Sequence, residues 1–270
     1  MIDPPPSGPS SNPTALVTGA SSGFGLEFAR LFAADRWNVV MAARSEAPMR
    51  AAAEELRSRH GVDVTVMPVD LAERSASARL VSALEERGTV VDALVNNAGF
   101  STYGEFWRDE PEAQSALLQV NVVALTELSR LIVPGMVERG RGRVLMLGSV
   151  GSFGPAPMTA AYGATKSYVL SLSLAMGEEL RGTGVTVTCL CPGPTRTGFQ
   201  ERAEMGDSAL IRGRKLPSAR EVAEAGYSAM LAGKPYLVTG GPSKAFALAS
   251  RFLPRTTVAR IAGRSQRRTS

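Results

Sequence analysis

Histidine is almost missing: His60 is the only one in 270 residues, and cysteine occurs twice, at Cys189 and Cys191. A multi-histidine metal centre and a Ser-His-Asp relay both need imidazole at the reacting group, so neither is expected, and no metal site is assigned. The two cysteines alternate with Thr188 and Leu190 in VTVTCLC. They read as buried strand thiols rather than as a redox pair or metal ligands. Such sparing use of cysteine fits a reducing, cytoplasmic setting. Long apolar runs are absent too. No segment approaches about 18 uninterrupted apolar residues, so no spanning helix is expected. The opening MIDPPPSGPSSNPT has no signal-like apolar stretch, and residues 1–13 read as a disordered leader.

Acidic residues are missing from the C-terminal end. Residues 244–270 hold Lys244, Arg251, Arg255, Arg260, Arg264, Arg267 and Arg268 without one Asp or Glu. The rest of the chain has 23 basic and 25 acidic residues, so the net charge of +5 belongs to the tail. Nucleic-acid binding by the body is therefore not expected. Phe246, Phe252, Leu253, Val258 and Ile261 interleave with the tail cations. Two readings stay open for this basic extension over 241–270. It is a helix covering the body, or it makes a peripheral membrane or acidic-partner contact.

What the chain does have is a strict alternation. Short β-branched runs at 15–18, 38–42, 63–69, 93–96, 143–147, 185–191 and 236–239 predict strands. Helical patterns fill the gaps at 24–35, 46–59, 72–87, 111–138, 158–181 and 218–232. Ser218 and Glu221 stand at capping-box spacing, and Gly233 ends that last helix. Such alternation calls for an α/β fold: one Rossmann-like, doubly wound parallel sheet of about seven strands with helices on both faces, spanning 14–240.

The first β-α turn reads TGASSGFG, from Thr18 through Ser21, Ser22, Gly23 and Phe24 to Gly25. Gly19, Gly23 and Gly25 allow a tight turn and a close approach to a pyrophosphate at the next helix N-terminus. The second predicted strand runs out in Ala42-Ala43-Arg44-Ser45. Arg44 and Ser45 offer hydrogen bonds to a ribose 2′-phosphate. No carboxylate stands there to bind a free 2′-hydroxyl, so NADP(H) is favoured over NAD(H).

Lysine is scarce, four against 26 Arg, and the first from the N-terminus is Lys166, one helical turn past Tyr162. At i and i+4 the phenol and the ammonium share a helix face, where a cation is expected to lower the phenol pKa. Ser149 precedes Tyr162 by thirteen residues.

Together these motifs resemble the short-chain dehydrogenase/reductase family over roughly residues 14–240. TGxxxGxG resembles its cofactor turn, and Asn96-Asn97-Ala98-Gly99 is similar to its N-N-A-G segment. The resemblance implies that Asn97, Ala98, Gly99 and Asp70 line the cofactor site. Pro192, Gly193, Thr195 and Thr197, in the segment PGPTRT, would flank the nicotinamide. It also implies a catalytic set of Ser149, Tyr162, Lys166 and Asn121. Tyr162 would be the general acid/base and Ser149 the oxygen's hydrogen-bond partner. Lys166 would hold the nicotinamide ribose as well, and Asn121 a water linking Lys166 to solvent. Gly148 departs from the family's usual Ser before the catalytic Ser.

The implied reaction is hydride transfer to a small apolar carbonyl, or from the corresponding alcohol. A non-catalytic NADP(H)-binding sensor of the same fold is the other class of reading, and the intact Ser149, Tyr162, Lys166 and Asn121 argue against it. Phe100, Tyr103, Phe106, Trp107, Phe153, Met158 and Phe199 stand near strand C-terminal ends and suggest an apolar pocket. Residues 198–217 suggest a lid contacting it through Phe199, Met205, Leu210 and Ile211. Helices 111–138 and 158–181 are apolar on more than one side, and the resemblance implies a homodimer or homotetramer through them.

Overall fold

The computed structural model describes residues 12–196 and 216–266. Thr197, the expected lid contacts Phe199, Met205, Leu210 and Ile211, and most of the leader lie outside the described residues. Seven strands run as β1 Thr14–Thr18, β2 Asn38–Ala43, β3 Val64–Pro68, β4 Ala93–Asn96, β5 Gly142–Leu147, β6 Val185–Cys191 and β7 Tyr236–Val238. Each differs from its expected range by at most one residue at an end. All pair in parallel, in the order β3-β2-β1-β4-β5-β6-β7. The order reverses between β1 and β4, and in open sheets of this kind ligands bind outside the strand C-termini at that reversal.

Period-two alternation sends side chains to two separate cores. Leu16, Leu94, Val144, Met146, Val187 and Cys189 face one side. There they meet α3 (Ala76–Glu85), α5 (Leu125–Glu138) and α6 (Ala160–Glu179). Ala15, Val17, Val95, Leu145 and Leu190 face the other side. They meet α1 (Gly23–Ala34), α2 (Glu46–His60) and α7 (Ala219–Leu231). Ser218 caps α7 in the expected capping box with Glu221.

Two helices depart from the sequence pattern. α3 starts at Ala76 rather than at residue 72. The Asp70 carboxylate accepts a hydrogen bond from Ala72 N at 2.9 Å, and Ser75 sits at φ 62°, so the chain turns before it can coil. Residues 111–138 form α4 (Pro111–Leu118) and α5 joined by a π-helical turn, Gln119–Ala124. This combined helix is long and apolar enough to cross a membrane, against the expectation from uninterrupted runs, because Glu127 and Arg130 break the run without greatly lowering its mean hydropathy of 1.5. Half of that window is buried inside the protein. Leu118, Val123, Leu131, Tyr168 and Leu174 on α4 to α6 remain exposed.

The basic extension folds as α8 (Gly241–Ala249) and α9 (Arg255–Gln266). Val258 and Ala262 are buried beneath α9, where Val258 meets Gly154 and Gly263 meets Pro157. The tail thus packs beside the loop that follows β5.

Fully buried Leu94 sits at the centre of the sheet, whereas the Ser218 side chain caps a helix end. Leu94→Ala should cost about 2–5 kcal/mol through lost contact and a cavity. Ser218→Ala should cost about 1 kcal/mol through the lost cap. Urea titrations of both variants check the ranking, and a costlier Ser218→Ala would contradict this placing of the core.

Candidate active site

The cleft at the strand C-termini has a volume of about 730 Å³. Its floor is laced from β1 to β4. Thr18 Oγ1 donates to Val95 O at 3.1 Å and accepts from Asn97 N and Ala98 N, both at 3.0 Å. Asn97 Nδ2 returns a bond to Thr18 O at 2.8 Å. Gly19 has φ 66°, the left-handed region that favours glycine. Gly25 is required by space instead. A Cβ there would stand 2.3 Å from Gly19 O and 2.6 Å from Asn97 Nδ2. The α1 N-terminus carries no acidic residue in its first turn and no side-chain cap, which leaves its positive end to an anion.

Gly19, Ser21, Ser22, Gly23, Phe24, Arg44, Ser45 and Asp70 line this end of the cleft. Asn97, Ala98, Gly99, Pro192, Gly193 and Thr195 carry the wall onward to Ser149, Tyr162 and Lys166. Gly25 is behind the wall, against Gly19 and Asn97. Arg44 is 73 % exposed and only 4.0 Å from Asp70, a loose pair that leaves the guanidinium open to another anion. A glycine cradle, an open helix N-terminus and a loosely paired cation at the lip fit a pyrophosphate-bearing dinucleotide.

Ser149 leaves β5 as the N-cap of a 3₁₀ turn, Val150–Phe153. Its hydroxyl accepts from Gly151 N at 3.1 Å. Ser152 supplies the second half of the capping box. Its hydroxyl accepts from Ser149 N at 3.1 Å and donates to Lys166 O at 2.7 Å. The backbone of Ser149 is thereby tied to the turn of α6 that carries Lys166. Sequence reading missed Ser152; its only signal was the S-x-x-S spacing of a capping box.

Tyr162 and Lys166 do share one face of α6, with Lys166 Nζ 5.6 Å from the Tyr162 ring centre. The expected pKa effect does not follow. Burial pushes the Tyr162 phenol up to about 12, opposed by its hydrogen bond with Ser149. Burial brings Lys166 down to about 8, and its ammonium donates to Leu147 O at 2.6 Å. Desolvation of the pair outweighs the attraction expected from spacing alone.

Asn121 sits in the π-helical turn, 1 % exposed and outside the cleft wall. Its amide holds Phe100 at both ends, accepting from Phe100 N at 3.1 Å and donating to Phe100 O at 2.9 Å. It also donates to Thr165 at 3.2 Å. Asn121 and Lys166 each approach Gly99, where a Cβ would lie 3.0 Å from Asn121 Oδ1 and 3.6 Å from Lys166 Nζ. The widened turn places this amide, a use typical of π-bulges at functional sites.

Of the expected pocket aromatics, Phe100 lines the cleft. Phe106 and Trp107 are 61 % and 72 % exposed, on a 3₁₀ turn where Arg108 stacks on Trp107. Phe153 turns toward Tyr236 instead. The missing apolar wall comes from the tail, through Phe246, Ile261 and Ala262. No local motif marks these residues, because only tertiary packing brings them to the cleft.

Gly148 has a physical reason in this chain. A Cβ there would fall 2.9 Å from both Cys189 Sγ and Cys191 Sγ, which lie 3.7 Å apart. The two thiols occupy the room that a side chain at 148 would need. The Cys191 thiol is held well above its ordinary pKa by the Cys189 hydrogen bond and by burial.

The fold and cleft define a dinucleotide-binding class of α/β protein. The family model described as short chain dehydrogenase matches residues 13–207, and the chain belongs to that family. A very-long-chain 3-oxoacyl-CoA reductase of Laccaria bicolor is 38% identical over 178 residues, 64% of this chain and 52% of that protein. Sulfoacetaldehyde reductase 2 of Chromohalobacter salexigens is 34% identical over 77% of this chain and 84% of its own length. A short-chain dehydrogenase from Sphingobium yanoikuyae, solved in complex with NADPH, aligns with TM-score 0.79 and 31% identity over 89% of this chain and 93% of that one. The chain thus spans about half the length of the first of these relatives and most of the other two.

Gly148→Ala should destabilise the protein by about 1–3 kcal/mol through overpacking against the thiols. Adding Cys189→Ala and Cys191→Ala should recover part of that loss. A double-mutant cycle from denaturant unfolding checks this, and strictly additive costs would contradict the contact.

Proposed function

We propose that this protein is an NADP(H)-dependent oxidoreductase interconverting a small apolar ketone and its secondary alcohol. The observation that carries the reading is the gathering of Ser149, Tyr162 and Lys166 on the wall of the cleft that the glycine turn and Arg44 also line. When bound, the dinucleotide supplies or accepts the hydride equivalent.

The protein's own residues do the rest. Gly19, Ser21, Ser22 and Gly23 bring backbone to the pyrophosphate, and Arg44 with Ser45 receives the 2′-phosphate. Asp70 stands for the adenine, and Asn97, Ala98, Gly99, Pro192, Gly193 and Thr195 shape the rest of the cofactor wall. With its pKa pushed up to about 12, Tyr162 is neutral at physiological pH, the form that gives a proton to a carbonyl oxygen. Ser149 Oγ donates to the same oxygen and shares its developing charge. Lys166, brought down to about 8, exchanges a proton at Nζ near neutrality and can restore Tyr162 after each turnover. Asn121 acts behind them, holding Phe100 and α6 in register. The NADPH complex of the Sphingobium yanoikuyae protein and the reductase names of the curated relatives support this choice of cofactor and chemistry. The exposed apolar residues on α4 to α6 suit cover by a second copy of the chain.

Steady-state rates with NADPH and NADH against an apolar ketone panel test the reading. Tyr162→Phe should lower kcat by about 10²-fold or more while cofactor affinity holds. Arg44→Asp should shift preference toward NADH. A Tyr162→Phe variant at wild-type rate would overturn the mechanism, and equal use of both cofactors before and after Arg44→Asp would overturn the NADP(H) preference.

A further inference from the structure

The acid-free tail is the part of the molecule that the proposed chemistry does not use. Lys244, Arg251, Arg255, Arg260 and Arg264 are all exposed. None of them is paired with a carboxylate among the described residues. Elsewhere both kinds occur, since Arg30, Arg79, Arg141 and Arg220 each hold a carboxylate while exposed Arg59, Arg74, Arg87 and Arg130 hold none among the described residues. The tail differs in having no acidic residue of its own at all. Large apolar side chains stand out from the same segment. Phe252 is 80 % exposed, Leu248 58 %, Ile261 48 % and Leu253 39 %. Phe252 and Leu253 form the connection between α8 and α9, with Arg251 before them and Arg255 just after. Along α9, Val258 and Ala262 face the protein, Arg260 and Arg264 face out, and half-exposed Ile261 lies at the lip of the cleft.

From this we propose that α8, α9 and their connection form a docking surface for an anionic lipid bilayer. The charge pattern selects the occupant. Unpaired cations with no neighbouring carboxylate are complementary to a sheet of anionic headgroups, and each adds to the attraction within a Debye length. Apolar residues alternate with the cations along the chain rather than forming one continuous dry area. A fluid bilayer accepts that arrangement, with Phe252 and Leu248 among the acyl chains and the arginines reaching back to the headgroups. A folded acidic partner would need a matching contiguous seat. Neither signal suffices alone, since stable attachment takes charge and apolar insertion together.

The docking surface stands independently of the catalytic reading, but it has a consequence for it. Phe246, Ile261 and Ala262 wall the cleft from the same two helices. A docked molecule would hold that wall of the cleft near the lipid, where an apolar carbonyl partitions.

Cosedimentation of the full chain with vesicles tests the proposal, using equal parts phosphatidylglycerol and phosphatidylcholine against pure phosphatidylcholine. Binding is expected only to the anionic vesicles, with release at about 1 M salt, where the screening length is about 3 Å. Arg255→Glu with Arg260→Glu should weaken binding by about tenfold or more. Phe252→Ser should weaken it separately, with unchanged circular dichroism and ketone reduction in detergent-free buffer for both variants. No sedimentation with anionic vesicles, equal binding to neutral ones, or indifference to both variants would overturn the proposal. Saturable binding of a polyglutamate peptide without vesicle binding would overturn it in favour of an acidic partner.

Discussion

One buried hydroxyl joins the two halves of the candidate catalytic set. Ser152 accepts from Ser149 N and donates to Lys166 O, so the end of β5 and the second turn of α6 cannot move apart without leaving a polar group unpaired. The rest of the cleft geometry hangs on that clamp. Ser149 faces Tyr162, Lys166 reaches Leu147 O, and Asn121 seals Phe100 behind Gly99. Underneath, two thiols fill the space beside Gly148 that another chain would give to a side chain. The arrangement is held from both sides, since Ser152 ties its own turn to α6 and Lys166 ties α6 back to the end of β5.

Much of this was legible in the sequence because the relevant signals are local. Strand ends are marked by alternating β-branched residues flanked by turn chemistry, and all seven strands fell within a residue of their expected ends. The glycine turn, Arg44, Ser149, Tyr162 and Lys166 are short motifs whose context is set by the neighbouring strand. What stayed hidden depends on three-dimensional packing. The start of α3 is decided by the Asp70 carboxylate turning back on Ala72 N, a competition that helical patterning does not record. The π-helical turn at Asn121 leaves no mark on apolar periodicity. The direction of the Tyr162 shift depends on burial, and spacing to Lys166 alone suggests the opposite sign.

The tail shows the same limit from another side. Its charge was readable at once, yet its part in walling the cleft through Phe246 and Ile261 arises only from the way Val258 seats against Gly154. A Cβ at Gly154 would stand 2.6 Å from Val258, so the loop after β5 and α9 are fitted to each other. One segment thus has an inner face that shapes the apolar end of the cleft and an outer face of unpaired cations. Sequence composition describes the sum of the two faces, and only the fold separates them.

Hydride transfer is the central chemical claim, and isotope transfer tests it most directly. The purified protein is incubated with NADPH deuterated at nicotinamide C4 and an apolar ketone that it turns over, and the alcohol is examined by mass spectrometry and NMR. Deuterium on the carbinol carbon, delivered to a single face, is the expected result. Alcohol without deuterium at that carbon, or label scrambled with solvent, would contradict direct hydride transfer in this cleft.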